Sequence, residues 1–471
     1  MNNKYTVLAV PAVFLSAAGI GYVSPAAAAK APKTQQRPNI IYILADDLGY
    51  ECLGIYGSTY KTPNLDALAA KGMLYRNCHA MPLSSPTRVQ TMTGKYNYKN
   101  YTKFGYMDPK ERTFGNLAKE AGYATAMVGK WQLEGDLTFP AMWGFDEYCL
   151  FDFILSKEDG ERYADPAIIC NGKRLEHNIN LYGPDIFEDY VEDFITRSAK
   201  GKNKPFFLYY PMVLVHKPFS PTPDSPSWRE QEKRKTSNAS NFPDMVQYMD
   251  KMVGRLVAKL KTEGVYDNTL IIFTADNGTQ KDLRTPMKDG TSIKGGKSTT
   301  RDAGTHVPLI ITWPARIEKG KVMEQLVDMT DFLPTFSDLM KVNIPADWDY
   351  DGISILPQLL GQNSAIQRKW TLCHYDVHWE GYPSDNASRH VRTVRYKLYL
   401  RGGFYDLKND IFEKTPINPV TLTGEAREAY MMLNGVLESL PPWSNEYGVS
   451  KSSIMKLPKN KKRAVEQKNE E

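Results

Sequence analysis

Four apolar runs of the chain each end at polar or charged residues. The runs have the near-continuous hydrophobicity of strands that are buried on both faces of a sheet. They read NIIYILADD, GYATAMVGKWQ, KPFFLYYPMVLVHK and NTLIIFTADN, and they lead respectively to Asp46 and Asp47, to Lys130 and Gln132, to His216, and to Asp276 and Asn277. Each ending alone is typical of a helix cap, a turn or a loop. The agreement of four such endings favours a shared edge of one sheet, which we call the rim.

Amphipathic segments lie between these runs and predict helices. They read TPNLDALAAKG, TFGNLAKEAG, DIFEDYVEDFITRSAK and FPDMVQYMDKMVGRLVAKLKTEG. Strands that alternate with helices predict an α/β fold in which a mostly parallel sheet is sandwiched by helices. Ligands of such sheets bind beyond the carboxyl ends of the strands, so the rim is the expected place for a functional site.

Hard oxygen ligands dominate the rim. The set contains three carboxylates and one amide, and it consists of Asp46, Asp47, Asp276 and Asn277. Without thiolates it suits Ca²⁺, with Mg²⁺ less favoured, rather than zinc or copper. A cation would relieve the repulsion among the carboxylates and would anchor a substrate oxygen or a nucleophile.

A serine stands at the start of a predicted helix. The stretch PLSSPTRVQTMTGKY covers Pro82 to Tyr96, with Ser84, Ser85 and Pro86 at the beginning of the helical run. Serine and proline are common at helix starts, which is a purely structural explanation. A helix N-terminus also presents free N–H groups and partial positive charge, so it is a place for an anion.

Composition indicates an ordinary globular protein. The 471 residues are 42% hydrophobic and 24% charged, and the formal net charge is +5. This mildly basic balance falls short of the concentrated basic face that nucleic-acid binding needs, so we expect no nucleic-acid partner.

The N-terminus predicts export. Lys4 precedes an apolar stretch from Tyr5 to Val23, and small residues follow in SPAAAAKAPK. The pattern predicts a signal peptide at residues 1–29, cleaved near Ala29, with an uncleaved membrane anchor as the alternative. We therefore expect a periplasmic or secreted protein without a stable membrane anchor.

Five cysteines are too few for the disulfide framework of a small secreted domain, and none has metal-site spacing. They are Cys52, Cys78, Cys149, Cys170 and Cys373. Two alternatives stay open. Cys149 and Cys170 could form a disulfide, or the cysteines could be buried free thiols.

The stretch around Ser84 resembles the signature of the type I sulfatases. That signature has Cys or Ser, any residue, Pro, a small residue and Arg, followed by Thr-Gly-Arg, and here the matching residues are Ser84-Ser85-Pro86-Thr87-Arg88 and Thr93-Gly94-Lys95. Further blocks resemble the family in order over nearly the whole mature chain, among them NIIYILADDLGY, AGYATAMVGKWQL, NTLIIFTADNG and GGKSTTRDAGTHVPLIITWPARI. The resemblance implies an alkaline-phosphatase-like fold and the hydrolysis of sulfate monoesters.

In that family the first residue of the signature is oxidised to formylglycine, and this position is Ser84 here. A hydrated aldehyde offers two hydroxyls on one carbon, so that one can attack sulfur and the other can later expel sulfate. The Ser-type signature implies a maturase of the anaerobic radical S-adenosylmethionine type acting on the Ser84 motif, and hence a bacterial source. The resemblance further implies that Arg88 steadies the modified residue and that the Ca²⁺ ligands are Asp46, Asp47, Asp276, Asn277 and the modified Ser84.

The same resemblance implies three residues that handle the substrate. Lys130 and Lys297 would bind sulfate oxygens, and removal of one such donor commonly costs on the order of 10²-fold to 10³-fold in rate. His216 would lie near the leaving-group oxygen, where an imidazole of ordinary pKa, about 6.5, could protonate the departing alcohol. The expected substrate of an exported bacterial member is a sulfated carbohydrate.

The chain departs from the family pattern at Gln132, where a Lys-x-His arrangement is usual. We expect Gln132 to bind substrate, but an amide cannot act as a base near neutral pH. His79 and His306 are candidates for a base elsewhere. Lys95 replaces an arginine and keeps its charge, and Asp302 replaces a glutamate.

The last part of the chain predicts a smaller α+β subdomain with an antiparallel sheet and a helix from Thr421 to Leu440. The domain boundaries that we predict are residues 38–346 for the catalytic domain, 347–445 for the C-terminal subdomain and 446–471 for a charged tail. In LCHYDVHWEGY, His374, Asp376 and His378 alternate and would share one face of a strand. This pattern is that of a polar sheet face, and a sugar subsite that includes His374 and His378 is the alternative.

Two other functions stay open. One is a phosphatase, phosphodiesterase or phosphonate hydrolase of the related superfamily, although its two-metal members need additional His and Asp ligands. The other is a non-catalytic module that binds sulfated glycans, in which Gln132 would mark the loss of turnover.

Overall fold

The computed structural model describes residues 37–133, 135–151, 161–176, 178–201, 204–362, 365–378 and 387–443. The predicted signal peptide and the predicted charged tail lie outside these residues. Among the described helices, none has both the length and the apolar character needed to cross a membrane.

The described residues form sixteen strands, most of them in one ten-stranded sheet. They are β1 (Asn39–Ala45), β2 (Met73–His79), β3 (Ala124–Gly129), β4 (Glu147–Phe151), β5 (Ile168–Cys170), β6 (Lys173–Arg174), β7 (Phe206–Pro211), β8 (Thr269–Ala275), β9 (Arg284–Pro286), β10 (Ser292–Lys294), β11 (His306–Thr312), β12 (Lys321–Asp328), β13 (Thr371–Tyr375), β14 (Ser388–Arg392), β15 (Tyr396–Tyr399) and β16 (Phe404–Asp406).

The order of the main sheet is β12-β2-β11-β8-β1-β7-β3-β4-β5-β6. The block from β8 to β4 is parallel throughout, whereas β11, β5 and β6 are antiparallel to their neighbours. The prediction of a mostly parallel sheet is therefore confirmed. The central strands β7 and β8 are buried at every position, which explains why their sequences are apolar without alternation.

Helices cover both faces of this sheet. The described helices are α1 (Pro63–Ala70), α2 (Ser84–Thr93), α3 (Asn97–Asn100), α4 (Phe114–Glu120), α5 (Phe139–Met142), α6 (Gly183–Lys200), α7 (Phe242–Thr262), α8 (Asp302–Thr305), α9 (Phe332–Met340), α10 (Leu356–Leu359) and α11 (Gly424–Ser439). Successive side chains of β7 point to opposite faces. Accordingly, Phe207 and Tyr209 pack against Phe114 of α4, at 5.4 Å and 5.2 Å between ring centroids, while the ring of Phe206 lies 5.7 Å from that of Phe194 of α6.

The second sheet, β13-β14-β15-β16, is antiparallel and packs on α11. Leu433 and Leu437 of α11 are buried against Tyr396 and Phe404 of this sheet. The helix predicted from Thr421 to Leu440 is thus confirmed in type, with bounds of Gly424–Ser439.

A disulfide joins Cys149 of β4 to Cys170 of β5, which answers the question that the sequence left open for this pair. The three remaining cysteines are buried free thiols, and they are Cys52, Cys78 and Cys373.

Candidate active site

The four strands whose endings form the rim are direct neighbours, in the order β8-β1-β7-β3. Their carboxyl ends meet because the strands are parallel. Asp46 and Asp47 directly follow β1, and the backbone N–H of Asp276, the residue after β8, donates to Ala45 O at 3.0 Å. The topology therefore brings together residues that are far apart in sequence, and it buries Asp46, Asp47, Asp276 and Asn277 completely.

Ser84 lies at the N-terminus of α2 and reaches this carboxylate cluster. Its Oγ is 3.2 Å from Asp46 Oδ1 and 3.3 Å from Asn277 Oδ1, and it accepts a hydrogen bond from Lys130 Nζ at 3.2 Å. Every residue of α2 is buried, which fixes the helix and its N-terminal N–H groups against the rim. The position of Ser84 thus fits both explanations that the sequence offered, a structural role at a helix start and a place suited to an anion.

Buried cations pair with the three carboxylates one for one. Lys130 Nζ donates to both oxygens of Asp46, at 2.8 Å and 2.7 Å. Lys297 Nζ donates to Asp47 Oδ2 at 2.6 Å, and Arg88 donates to Asp276 Oδ2 at 2.9 Å. These ion pairs show that Lys297 and Arg88, which belong to separate sequence motifs, both contact the carboxylate cluster of the rim.

Burial and mutual repulsion shape the pKa values of the cluster. Burial raises the pKa of Asp47 and of Asp276, and the charge of Asp46 raises both further. Burial also opposes ionisation of Asp46, but the positive charges around it, Lys130 foremost, hold its pKa well below the ordinary value. Burial lowers the pKa of Lys130 to about 8 despite the attraction of Asp46, and Arg88 adds to this effect.

These residues fit a hard divalent cation. The donors are carboxylate and amide oxygens, which Ca²⁺ and Mg²⁺ prefer. Ligand atoms of Asp46, Asp47 and His216 lie within 4.8 Å of one another, close enough to share one ion. Asn277 Nδ2 donates to Asp47 Oδ1 at 2.9 Å, which leaves its amide oxygen directed towards Ser84. A cation there would offset the repulsion that raises the pKa of Asp47 and Asp276.

His216 lies beside the cluster with a partly exposed side chain. Its Nε2 is 3.7 Å from Asp47 Oδ2, and its Nδ1 is 2.6 Å from Lys217 O, so Nδ1 carries a proton and donates to that carbonyl. Burial and the nearby Arg162 lower the pKa of His216 well below its ordinary value. The ring is therefore neutral in the substrate-free protein, and a proton donor at this position requires a bound anion that raises its pKa.

Three loops that build the site contain non-glycine residues in the left-handed backbone region. They are Asp47, Gln132 and Ser298, with φ of 62°, 55° and 64°. Such conformations are uncommon outside glycine and concentrate at functional sites. Gln132 follows Lys130 by two residues, and its buried Oε1 has no hydrogen-bond partner among the described residues.

Two polar residues of the site were not found by sequence reasoning. Gln280 Nε2 donates to Asp47 Oδ2 at 3.2 Å, and Arg162 has a nitrogen 3.4 Å from Asp46 Oδ2. Gln280 lies three residues after Asn277, so the ending of β8 already pointed to it. Arg162 belongs to no motif and follows no central strand, and nothing in the sequence marks it.

The prediction that His374, Asp376 and His378 share one strand face is wrong, because β13 ends at Tyr375. His374 is buried, and its Nδ1 accepts from Arg389 Nε at 3.0 Å. His378 is part-exposed, with Nε2 at 3.3 Å from Asp376 Oδ1. His374 and His378, the two residues of the predicted sugar subsite, therefore differ in exposure. Of the two, only His378 presents a substantial part of its side chain to solvent.

The backbone links His378 to the neighbourhood of Ser84. Phe104 N–H donates to His378 O at 2.9 Å, and the next residue, Gly105, donates from its N–H to Ser85 Oγ at 2.7 Å. The segment that follows β13 thus lies beside the N-terminus of α2.

His79 and His306 form a separate buried group with Asp302. His306 Nδ1 is 3.0 Å from Asp302 Oδ2 and its Nε2 is 2.6 Å from Arg76 O. Asp302 is also paired with Arg392 of the second sheet. Both ring nitrogens of His306 are therefore engaged at the junction between the sheets, whereas His79 has Nδ1 at 3.5 Å from Arg392 and a buried Nε2 without a hydrogen-bond partner among the described residues.

Comparisons with known proteins agree on one family. A family profile described as Sulfatase matches residues 38–342, and one described as N-sulphoglucosamine sulphohydrolase, C-terminal, matches residues 297–421. An N-acetylgalactosamine-6-sulfatase of Sus scrofa is 32% identical over 94% of this chain and 92% of its own length. An uncharacterized sulfatase, YdeN, of Escherichia coli strain K12 is 30% identical over 76% of this chain and 73% of its own length.

Solved structures have the same fold. The crystal structure of Ps i-CgsB in complex with k-i-k-neocarrahexaose aligns with a TM-score of 0.71 at 26% identity, and the alignment covers 85% of this chain and 93% of that chain. A protein solved in complex with its substrate D-glucosamine-2-N,6-O-disulfate aligns with a TM-score of 0.67 at 24% identity over 86% of this chain and 97% of that chain. These alignments match the alkaline-phosphatase-like architecture expected from the sequence.

Proposed function

Because this chain belongs to the sulfatase family and is a sulfuric ester hydrolase, we propose that it hydrolyses a sulfate monoester of a sulfated carbohydrate by way of a formylglycine made from Ser84. The products are an alcohol and inorganic sulfate. A relative named N-acetylgalactosamine-6-sulfatase and a structural neighbour that binds k-i-k-neocarrahexaose support a sugar substrate.

One observation carries the proposal. Ser84 Oγ lies within 3.3 Å of Asp46 and Asn277 and accepts a hydrogen bond from Lys130, at the N-terminus of a fully buried helix. Burying several charged groups side by side costs free energy even when they are paired, so a cluster of this density at the ligand-binding edge supports a catalytic role.

In this proposal Asp46, Asp47, Asp276 and Asn277 hold a Ca²⁺ ion, together with the modified Ser84. The ion would stabilise negative charge on the nucleophile and on the sulfate. The modified side chain, as a hydrated aldehyde, supplies one hydroxyl for attack and a second that allows sulfate to leave.

The remaining residues bind and orient. Arg88, which is held by Asp276 and also donates to Lys130 O at 3.2 Å, keeps positive charge behind Ser84. Lys130 and Lys297 exchange their carboxylate partners for sulfate oxygens, and His216 protonates the departing alcohol once the bound anion has raised its pKa. The unpartnered Oε1 of Gln132 accepts a hydrogen bond from a substrate hydroxyl.

The cellular setting is part of the same proposal. The chain would be an exported bacterial protein with a signal peptide at residues 1–29, and a maturase would oxidise Ser84. The domain boundaries at residues 38–346 and 347–445 assign the nucleophile and the cation to the first domain and leave the second to contact the sugar.

Mass spectrometry and paired assays test the proposal. The protein is expressed anaerobically with a serine-type maturase, and the peptide containing Ser84 is expected to lack two hydrogens. That material should release sulfate from 4-methylumbelliferyl sulfate much faster than phosphate from the matching phosphate. Ser84→Ala should lose at least about 10⁴-fold of this activity, whereas Ser240→Ala, a change at an exposed serine, should retain it.

Two results would contradict the proposal. Turnover by Ser84→Ala, or a preference for the phosphate ester, would point to the phosphatase alternative. Tight binding of a sulfated sugar by converted protein with no release of sulfate would point to the binding module.

A further inference from the structure

Arg162 is a fourth basic residue at the site. It is not needed to pair the three rim carboxylates, because Arg88, Lys130 and Lys297 already do so. It lies in the segment between β4 and β5, and its guanidinium carbon is 5.4 Å from the centroid of the Phe151 ring. Its only carboxylate contact among the described residues is a single one, at 3.4 Å to Asp46 Oδ2. Its side chain keeps 18% of its surface exposed, whereas that of Lys130 keeps 3%.

Asp46 has another partner in both states, Lys130 in the substrate-free protein and, in the proposed function, the Ca²⁺ ion once Lys130 binds sulfate. Lys130 already satisfies both of its oxygens at 2.8 Å and 2.7 Å. A guanidinium has five N–H donors in a planar fork that suits bidentate binding of an oxyanion. Among the described residues, this long contact and a hydrogen bond with the side chain of Tyr163 engage part of the fork, and its remaining N–H groups can bind a ligand.

Charge balance indicates an anionic ligand for these donors. The three carboxylates are matched by Arg88, Lys130 and Lys297, so Arg162 and a divalent cation both add surplus positive charge. A sulfate monoester brings a single negative charge. A substrate with a second anionic group would balance the site better than a substrate with one.

The location of Arg162 points to the sugar side of the site. The hydroxyl of the adjacent Tyr163 lies within hydrogen-bond distance of both Val213 O, at 2.8 Å, and His216 O, at 2.6 Å, and shares its one proton between them. This tyrosine therefore connects the Arg162 segment to the loop of His216. In the proposed function His216 faces the leaving alcohol. Arg162 therefore lies on the side of the departing sugar.

We propose that Arg162 is a specificity-determining residue that binds a second oxyanion of the sugar, either a carboxylate or another sulfate ester, close to the scissile sulfate. The inference rests on the proposed function and names the substrate class of the same site as a sugar with two anionic groups.

Inhibition of 4-methylumbelliferyl sulfate hydrolysis tests this inference, because each sugar then gives a constant whether or not it is cleaved. The probes are N-acetylgalactosamine 6-sulfate, N-acetylgalactosamine 4,6-disulfate, and a glucuronate-containing 6-sulfated disaccharide. The variants are Arg162→Ala, Arg162→Lys and, as a control, Arg316→Ala, an exposed arginine that follows β11 at the opposite edge of the sheet.

We expect at least one of the two dianionic sugars to bind the unsubstituted enzyme about 10-fold to 100-fold more tightly than the 6-sulfate, and the one that does identifies the second group. Arg162→Ala should abolish this advantage, Arg162→Lys should keep part of it, and Arg316→Ala should keep all of it. The KM for 4-methylumbelliferyl sulfate should stay within about threefold in Arg316→Ala. In the Arg162 variants, the ratio of each sugar's inhibition constant to that KM separates the effect on the second oxyanion from a general effect on the site.

Equal inhibition by all three sugars would overturn the inference, as would a uniform loss in Arg162→Ala that includes the aryl sulfate. Either result leaves the proposed function standing, because the unsubstituted enzyme still hydrolyses the aryl sulfate. Failure of converted enzyme to hydrolyse the aryl sulfate would instead refute the proposed function and this inference with it.

Discussion

The rim and the C-terminal sheet both contain clusters of polar residues that the sequence singled out, but they differ in how the chain positions them. On the rim, Asp46 and Asp276 directly follow parallel strands that are hydrogen-bonded neighbours, so the strand register fixes their separation. In the C-terminal part, His374 and His378 lie on either side of the end of β13. Their positions depend on individual side-chain partners instead.

The two regions also differ in what their charges do. The three rim carboxylates lie in one cluster, where the charge of Asp46 raises the cost of ionising Asp47 and Asp276 and Asp47 adds to the cost for Asp276. The C-terminal polar residues are arranged in local pairs, in which Asp376 accepts from Trp443 Nε1 at 3.0 Å and contacts His378. Asp47 and Asp276 keep a raised pKa although each has a cationic partner, which favours a further cation at the rim, whereas the C-terminal residues interact only locally. The comparison teaches that a functional cluster is recognised by like charges that raise the cost of ionisation even where each has a partner of opposite charge.

The largest loss of activity should come from removing the charge of one of the three rim carboxylates. Asp47→Asn is expected to lower the hydrolysis of 4-methylumbelliferyl sulfate about 10³-fold, because the ion that stabilises the transition state loses a charged ligand. In the unsubstituted protein, Ca²⁺ at a hundredfold excess over its Kd should add about 2.7 kcal/mol to stability and raise the Tm by a few degrees. Thermal unfolding with and without Ca²⁺ should show this shift lost in Asp47→Asn.

Asp376→Asn is the matched control in the C-terminal part. It should keep both the activity on the aryl sulfate and the Ca²⁺-dependent rise in Tm. A Ca²⁺ shift that survives in Asp47→Asn but disappears in Asp376→Asn would reverse the roles that we assign to the two regions.

A smaller loss of activity is expected from a pair of substitutions that separate the chemical step from recognition of the sugar. Lys130→Ala is expected to lower kcat on the aryl sulfate about 10²-fold to 10³-fold, because its Nζ lies 3.2 Å from Ser84 Oγ and faces the charge that develops on sulfate. His378→Ala should leave that kcat nearly unchanged and raise the KM for a sulfated sugar about 10-fold. Steady-state kinetics on both substrates measure the contrast. An equal loss of aryl sulfate turnover in both variants would show that His378 belongs to the catalytic cluster.

Sequence reasoning succeeded where topology alone determines position. The polar endings after β1, β3 and β8 could be assigned to one edge because buried parallel strands are apolar throughout and their carboxyl ends coincide. The start of α2 at Ser84 followed from the serine and proline of the first turn. No long-range information was needed for these predictions, since each depends on a strand or helix boundary that is visible locally.

Sequence reasoning failed where position depends on contacts between distant side chains. Arg162 reaches Asp46 across 116 residues from a segment without a motif. The alternation of His374, Asp376 and His378 suggested a longer strand than the one that forms. The pairing of β13 with β14 ends at Tyr375 and Ser388, so the residues after Tyr375 are not part of the strand. A period of two cannot reveal where a partner strand stops.

The smallest effect concerns pH and stability in the C-terminal sheet. Burial and the neighbouring Arg389 lower the pKa of His374 to about 3. The geometry agrees, because Arg389 Nε donates to His374 Nδ1 and that nitrogen must then be unprotonated. The unfolded chain binds a proton at this residue below about pH 6.5 and the folded chain does not until about pH 3, so the stability that depends on neutral His374 falls as the pH drops through that window.

His374→Gln should make the molecule less sensitive to acid, because glutamine offers Arg389 an acceptor without a proton-binding site. Between pH 7 and pH 5 the loss of unfolding free energy should be smaller in the variant than in the unsubstituted protein by about 1–2 kcal/mol. Urea unfolding at both pH values measures the difference. His79 and His390 are also buried with lowered pKa, so a residual decline common to both proteins is expected. An identical decline in the two proteins would show that His374 is already exposed or charged in the folded state, and the contrast between local pairs and clustered like charges would then not hold for this sheet.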